Sequence, residues 1–230
     1  MTDGRKGKFI VLEGTDGSGK TVQFEQLLLN LPSDTKFSIA DFPQYDKPSS
    51  YFVRRYLNGE YGSWKEVGAK KASLFFALDR FDVGAQIRKW LDDGRLVISN
   101  RYVASSMGHQ GAKLATREER IKFFRWLHEL EYEILEIPRP DLNILLHMPA
   151  VIAYDLVAQK GEREYLEGAK RDIHEADLNH LEAAERAYLE MAELFPQDFV
   201  RIDCVESGKL LSIEEIHKRV WNIVSKLIGV

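Results

Sequence analysis

A run of eight residues, from Gly14 to Thr21, has the composition needed to hold a polyphosphate. It reads GTDGSGKT and matches the pattern G-x-x-x-x-G-K-[ST] at every fixed position. Glycines let the backbone curl so that its N–H groups converge on phosphate oxygens, and the positive end of the following helix faces the same anion. In this pattern Lys20 reaches the β and γ phosphates, and Thr21 ligates Mg²⁺. We therefore predict a P-loop that binds a nucleoside triphosphate through Gly14, Asp16, Gly17, Ser18, Gly19, Lys20 and Thr21.

A P-loop needs a strand before it and a helix after it, and the neighbouring residues predict both. Residues 8–13 (KFIVLE) are a compact β-rich run, and residues 20–31 have a helical pattern that stops at Pro32. The motif alone does not distinguish kinases, GTPases and ATPases. The chain lacks the N/T-K-x-D element with which a GTPase reads guanine, and 230 residues are too few for the partner domain of a motor or helicase. These features favour a nucleotide kinase.

Short apolar runs alternate with longer helical segments along the chain, which predicts an α/β fold with a parallel sheet. The predicted strands are residues 8–13, 36–40, 95–99, 142–146 and 199–203. The predicted helices are residues 20–31, 48–58, 67–91, 117–135, 151–159, 172–194 and 213–228. The basic, glycine-containing segment 159–171 lies between two helices with no strand between them. We predict a single domain over residues 1–230, in which this segment is a lid.

The composition disfavours several other classes of protein. A chain of 230 residues, 44% hydrophobic, is long enough for one domain with a substantial core. A net charge of −4 without a polybasic block disfavours a nucleic-acid partner. Cys204 is the only cysteine, which excludes an intramolecular disulfide and a cysteine-based zinc site. No apolar run is long enough for a transmembrane helix and no signal peptide is evident, so we expect a cytoplasmic protein with no membrane partner.

Segments spread over nearly the whole chain resemble the thymidylate kinases (dTMP kinases). Residues 9–21 (FIVLEGTDGSGKT) resemble the opening of that family, and Phe42-Pro43 follows the second strand, as expected there. Residues 74–80 (LFFALDR) resemble its F-x-x-x-R element, and residues 100–105 (NRYVAS) resemble its D-R-Y-x-x-S signature. Three later segments also fit, namely His109-Gln110, residues 140–146 (PDLNILL) and residues 187–193 (AYLEMAE). Their joint order is more specific than any single motif.

The resemblance implies roles in a dTMP site for several of these residues. Phe76 would stack on the thymine ring, and Arg80, one helical turn later, would hydrogen-bond the base. Arg101 would pair with the dTMP phosphate through its planar guanidinium. Taken alone, an F-x-x-x-R pattern is more often a core phenylalanine and a surface arginine, and only the ordered set of motifs favours the binding roles. The implied dTMP set is Asp16, Phe42, Pro43, Phe76, Arg80, Arg101, Ser105, Ser106, His109 and Gln110, with His109 packed against the deoxyribose.

The resemblance also implies where the catalytic charges lie. Some thymidylate kinases carry a catalytic arginine in the P-loop and others supply it from the lid, and this P-loop has none. The lid cation would then be Arg163, Lys170 or Arg171, with Arg163 the first choice. Asp16 would hold the sugar hydroxyl of the acceptor or a Mg²⁺-bound water. The implied catalytic set is Lys20, Arg101, Arg163 and Asp16, and the ATP-binding set gains Arg163, Lys170 and Arg171.

Two departures from the family pattern bear on the site. The aspartate of the signature is Asn100 here, which can hold a Mg²⁺-bound water but adds no negative charge. Either Mg²⁺ binding is then weaker, or Glu13 and Asp16 compensate. The arginine that often follows Phe-Pro is also missing, and Arg54 or Arg55 could replace it.

The resemblance implies transfer of a phosphoryl group from ATP·Mg²⁺ to dTMP, giving dTDP and ADP. The alternatives are a kinase of another deoxynucleoside monophosphate or of a deoxynucleoside, and a P-loop protein that binds nucleotide without catalysis, for which Asn100 is the best support. The implied fold is a five-stranded parallel sheet of order 2-3-1-4-5 flanked by helices. A homodimer is also implied, for which the apolar face of the helix at residues 67–91 is available.

Overall fold

Five strands form one parallel sheet at the centre of the structure, a computed structural model that describes residues 6–164 and 178–230, with the backbone alone for 159–164. The strands are β1 (Lys8–Glu13), β2 (Phe37–Asp41), β3 (Leu96–Asn100), β4 (Leu142–His147) and β5 (Phe199–Asp203). Their order is β2-β3-β1-β4-β5. Both the predicted fold class and the strand order implied by the resemblance are confirmed.

Helices cover both faces of this sheet. Among the described residues they are α1 (Lys20–Asn30), α2 (Tyr51–Leu57), α3 (Trp64–Asp92), α4 (Val103–Gly111), α5 (Arg117–Glu129), α6 (Ala150–Glu164), α7 (Leu178–Leu194) and α8 (Ile213–Ile228). A 3₁₀ turn (Pro48–Ser50) precedes α2, a π-helical turn (Leu130–Ile134) follows α5, and a hairpin of β6 (Val205–Glu206) and β7 (Lys209–Leu210) precedes α8. In the described ranges, no helix combines the length and apolar character needed to cross a membrane.

Alternating side chains of the central strand β1 divide the core into two layers, as the period of two along a strand requires. Phe9 and Val11 are fully buried in the layer that also contains Ile87 of α3 and Phe124 of α5. Ile10 and Leu12 are fully buried on the opposite face, against α1, α6 and α8. Because β1 is held on both faces and both edges, its carboxyl end is a rigid support for the loop that follows it.

The structure corrects three predicted elements. The chain between residues 100 and 117 had no predicted helix, yet α4 lies there. The helix predicted over 117–135 is α-helical only to Glu129 and ends in the π-helical turn. The helix predicted to end at 159 continues through Glu164, so the first residues of the predicted lid are helical. Residues 165–177, which contain the rest of that lid, lie outside the described residues.

Candidate active site

The P-loop connects the end of β1 to the start of α1, and its backbone forms the cradle that the motif predicts. Gly17 has a φ of +79°, and a Cβ atom there would lie 2.4 Å from the carbonyl oxygen of Ala153, so only glycine fits. The first turn of α1 contains no acidic side chain, and its N-cap, Gly19, offers no side-chain cap. The N–H groups of that turn are therefore available to an anion. The hydroxyls of Thr15 and Ser18 are buried and have no hydrogen-bond partner within the described ranges.

Lys20 closes this cradle by bonding to the loop itself. Its Nζ donates a 2.7 Å hydrogen bond to the carbonyl oxygen of Thr15, and the residue is only 6% exposed. Burial lowers the pKa of Lys20 to about 7, and the positive charge of Arg101 acts in the same direction, against the carboxylates of Asp16 and Glu13. A bound polyphosphate would oppose both effects and favour the charged ammonium.

Arg101 and Asp16 form an ion pair on the side of the P-loop that faces the sheet edge. Arg101 has a left-handed backbone conformation (φ +65°), and the Ser99 hydroxyl donates a 2.7 Å hydrogen bond to its carbonyl oxygen. Burial would raise the pKa of Asp16, but the positive charges of Arg101 and Lys20 outweigh burial and hold it well below its usual range. Nη1 of Arg101 lies 3.0 Å from Nε2 of His109. Burial lowers the pKa of His109 well below its usual value, so the neutral ring can accept this hydrogen bond.

A pocket beside this ion pair brings together every residue of the implied dTMP set. It is lined by Asp16, Phe42, Pro43, Tyr45, Leu57, Phe76, Arg80, Arg101, Tyr102, Ser105, Ser106, His109 and Gln110. Tyr45, Leu57 and Tyr102 are the members that the sequence reasoning did not include. Contributions from β2, α3, α4 and the P-loop meet here because the carboxyl ends of parallel strands share one edge of the sheet.

Arg80 is anchored at the back of this pocket rather than exposed at a surface. It is 2% exposed, and its Nε and Nη2 donate to the two carboxylate oxygens of Glu131 at 2.7 and 2.5 Å. Burial raises the pKa of Glu131, and the charge of Arg80 opposes that rise. The sequence reasoning missed Glu131, although the buried Phe124 and Leu127 place position 131 on the inner face of the same helical segment.

Glu13 caps the N-terminus of α4, a role that the sequence reasoning did not include. One of its carboxylate oxygens accepts from the backbone N–H groups of Tyr102 (2.6 Å) and Ser105 (3.2 Å). The other accepts from the hydroxyls of Ser105 (2.7 Å) and Tyr188 (3.2 Å). Both oxygens of this fully buried carboxylate therefore accept from protein donors, and its part in the metal site stays a prediction.

Asn100 has a neighbour that the sequence reasoning did not identify. Asp41 ends β2 directly opposite Asn100 of β3, and its carboxylate accepts a hydrogen bond from the Asn100 amide. Burial raises the pKa of Asp41, against the effect of this hydrogen bond and of the Arg101 charge. The amide oxygen of Asn100 is buried and has no hydrogen-bond partner in the described part of the chain. It is therefore free to accept from a ligand or a metal-bound water.

Neither arginine proposed to replace the missing one after Phe-Pro reaches the pocket. Arg54 turns back to the preceding loop, where it donates to the carbonyl oxygens of Tyr45 (2.6 Å) and Lys47 (3.0 Å). Arg55 is held at the surface by Glu60 at 2.7 Å. That expectation was wrong, because Arg54 is bonded to the loop before α2 and Arg55 to Glu60, and neither lines the pocket.

The predicted lid cations lie beyond what the structure describes. Arg163 is on the last turn of α6, with its side chain outside the described part. Lys170 and Arg171 lie within residues 165–177, outside the described residues. Their roles remain predictions.

Comparisons with known proteins agree with this geometry. A family model described as thymidylate kinase matches residues 12–220. A probable thymidylate kinase of Pyrococcus horikoshii is 31% identical, over 97% of this chain and 99% of its own length. The thymidylate kinase of Mycobacterium tuberculosis strain H37Rv is 29% identical, over 80% of this chain and 85% of its own length. A solved thymidylate kinase from Candida albicans has the same fold, with a TM-score of 0.68 and 21% identity over 96% of this chain and 92% of that one. The chain belongs to the thymidylate kinase family.

Proposed function

We propose that this chain transfers the γ-phosphoryl group of ATP to dTMP, giving dTDP and ADP. The observation that supports this function best is the single pocket beside the P-loop that contains every residue of the implied dTMP set. Family membership supports the same reaction, and the P-loop supplies the site for the phosphate donor.

In this proposal the reaction depends on positioning and charge, as phosphoryl transfer generally does. The acceptor is a phosphate oxygen that is already anionic, so no strong general base is needed. Arg101 would bind the dTMP phosphate, and Lys20 would bind the β and γ phosphates of ATP. Asp16, released from Arg101 by the incoming phosphate, would hold the sugar hydroxyl of the acceptor.

The residues around the P-loop also suit the Mg²⁺ that normally accompanies ATP. The buried, unpartnered amide oxygen of Asn100 and the glycine cradle are the features of this structure that fit a hydrated cation beside phosphate. We expect Thr21 to ligate the ion, and Asn100, backed by the carboxylate of Asp41, to hold one of its waters. Such an ion supplies neutralisation of charge between the β and γ phosphates.

We also propose that the chain is a single domain with a lid at about residues 159–171. Arg163 is our first choice for the cation that closes over the transferred group, since it follows Lys160-Gly161-Glu162 at the start of that segment. Closure would exclude water and so suppress hydrolysis of ATP.

A homodimer is our proposal for the assembled state. Leu74, Leu78 and Phe81 are exposed at successive turns of α3, and together they form an apolar stripe. A second copy of this chain would cover that stripe. Light scattering at micromolar concentration would give twice the mass of one chain if this is right.

A coupled assay of ADP release over a panel of acceptors tests the proposed function. The panel contains dTMP, dUMP, the other deoxynucleoside monophosphates and thymidine, each with ATP and Mg²⁺. We expect dTMP to give the highest kcat/KM and thymidine to give no turnover. Tight ATP binding without turnover on any acceptor would instead indicate a non-catalytic nucleotide-binding protein.

A further inference from the structure

The buried ion pair at the back of the pocket, between Arg80 and Glu131, holds a guanidinium in one orientation. The side chains are 2% and 0% exposed, and the two contacts, at 2.7 and 2.5 Å, are parallel and bidentate. Glu131 belongs to the π-helical turn that ends the α5 segment, a rare form that is frequently found at functional sites. Removing two charges from water is expensive, so such a pair is weak evidence for stability by itself. Its geometry points instead to orientation of Arg80.

A count of donors shows what this orientation leaves for a ligand. A guanidinium carries five N–H donors, on Nε, Nη1 and Nη2. Glu131 takes the Nε donor and one on Nη2, and the Ser106 hydroxyl takes the second on Nη2 at 2.9 Å. The carbonyl oxygen of Tyr102 accepts from Nη1 at 3.2 Å. Within residues 6–164 and 178–230, no acceptor is bonded to the second N–H on Nη1, which is left for a molecule in the pocket that Arg80 lines.

Gln110 supplies the complementary group in the same pocket. It is 3% exposed, and its amide oxygen is buried without a hydrogen-bond partner among the residues that the structure describes. A donor on Arg80 and an acceptor on Gln110 match a pyrimidine that presents a 4-oxo group and an N3–H. Cytosine presents the reverse pattern, an amino donor at position 4 and an acceptor at N3.

The two groups differ in how well they can adapt. An amide reverses its pattern by rotating through half a turn, whereas a guanidinium has donors only. Gln110 can therefore accommodate either pyrimidine. Discrimination depends on Arg80 staying in place, and Glu131 keeps it there.

We propose that Glu131 is the positioning residue that makes this pocket selective for 4-oxo pyrimidine monophosphates over the 4-amino class, by fixing the donors of Arg80. The inference rests on the proposed function and deepens it. Glu131 does not touch the base. With the carboxylate intact, the amino group of dCMP meets an N–H that cannot turn away. Sites of this kind reject the mismatched partner by on the order of 10³ or more.

The test compares kcat/KM for dTMP, dUMP and dCMP in the wild type and in Glu131→Gln. The amide keeps one acceptor but loses the second contact and the charge, so Arg80 is free to turn. We expect KM for dTMP to rise about tenfold, kcat to change less than about threefold, and the dTMP/dCMP ratio to fall about tenfold or more. The dUMP values should follow those for dTMP.

The chain contains a matched control in another bidentate pair. Glu190 accepts from Nε and Nη2 of Arg120 at 2.7 and 2.8 Å, and neither residue lines the pocket. Glu190→Gln should lower the thermal midpoint while leaving the dTMP/dCMP ratio at the wild-type value. If Glu131→Gln does not fold, Ser106→Ala removes one contact to Nη2 and should lower the same ratio to a smaller extent.

The outcomes separate this inference from the proposed function. An unchanged ratio in Glu131→Gln, or an equal fall in Glu190→Gln, would overturn the role of Glu131 while dTMP turnover by the wild type stands. If the wild type turns over none of the three acceptors, the proposed function fails. In that case the role of Glu131 is decided by the ratio of the affinities for dTMP and dCMP, measured by calorimetry in the wild type and in Glu131→Gln.

Discussion

Replacing Glu13 with glutamine separates a structural role for this carboxylate from a role at the metal. The backbone N–H groups of Tyr102 and Ser105 cannot rotate, so the amide oxygen of the substituted side chain must face them. The amide NH₂ then faces the hydroxyls of Ser105 and Tyr188, and each of these can rotate to accept. Each hydroxyl keeps a hydrogen bond as an acceptor but no longer donates to position 13, and all four contacts lose the charge of the carboxylate.

The size of this loss follows from the strength of charge-assisted hydrogen bonds. They are roughly twice as strong as neutral ones, and a neutral bond contributes a net ~1 kcal/mol. Each contact loses about half of the extra strength that the charge gives it, and the first turn of α4 loses the favourable negative charge beside it. Together these losses destabilise the folded protein by about 3 kcal/mol. For a chain of 230 residues the melting temperature should then fall by about 8 °C. The affinity of the ADP complex for Mn²⁺, measured by electron paramagnetic resonance, should stay within about twofold.

Urea and thermal unfolding of Glu13→Gln, beside the exposed Glu25→Gln as a control, measure the stability. The control should leave the unfolding midpoint unchanged, because Glu25 is on the outer face of α1. The reasoning is refuted if Glu13→Gln unfolds at the wild-type midpoint while its Mn²⁺ affinity falls tenfold or more. That result would show that the carboxylate acts at the metal site rather than as the cap of α4.

Three other perturbations test the charges of the site. Because burial and Arg101 lower the pKa of Lys20 to about 7, the free side chain is mostly neutral at pH 8 and mostly charged at pH 6. Nucleotide binding should therefore take up about 0.9 proton at pH 8 and about 0.1 proton at pH 6, in excess of the uptake by Lys20→Met. Calorimetry in buffers of different ionisation enthalpy measures this uptake. Asp41→Asn should weaken Mn²⁺ binding to the ADP complex about tenfold, and adding Asn100→Asp should restore it. Arg163→Ala should lower kcat by on the order of 10³ with little change in dTMP affinity, whereas near-normal turnover would move that role to residues 170–171.

The elements that the sequence predicts best are those with strong end signals. The bounds of β5 and α8 agree with the prediction residue for residue. In α8 the start is fixed by a capping box between Ser212 and Glu215, and the end by Gly229 in a left-handed conformation. The order of strands in the sheet could not be predicted in this way, since βα alternation alone does not determine which strands are neighbours. Here it followed only from the family resemblance.

Helix α4 was missed because its local signals oppose a helix. Its sequence, VASSMGHQG, contains two serines and two glycines, which are poor helix formers. Packing decides the outcome instead. A Cβ atom at Gly108 would lie 2.3 Å from the ring of Tyr188, and one at Gly111 would lie 2.8 Å from the ring of Phe124. The glycines that argue against a helix locally are what allow α4 to approach α5 and α7.

The pocket residues were identified by motif, but the residues that hold them were not. Glu131 is 51 positions from Arg80, and Glu13 is 89 positions from Tyr102. Such pairings depend on which helix lies against which strand, and no spacing in a single sequence reports that. The pairing of Asp41 with Asn100 could not be predicted for the same reason, because it depends on β2 and β3 being neighbours in the sheet.

The charges of the phosphate site are satisfied by one another before a substrate binds, and this determines which acceptor the site can favour. Arg101 is paired with Asp16, so an incoming group must replace a carboxylate rather than meet a free cation. A monophosphate can do so at little cost, because one charge-assisted bond replaces another. A neutral nucleoside brings no charge to exchange, and opening the pair for it would leave a partly buried guanidinium without its partner. On the proposed roles, Asp16 would therefore be released to hold a sugar hydroxyl only when a phosphate occupies Arg101. Given the phosphate-binding role that the resemblance implies for Arg101, the same pair argues for a deoxynucleoside monophosphate as acceptor and against a deoxynucleoside.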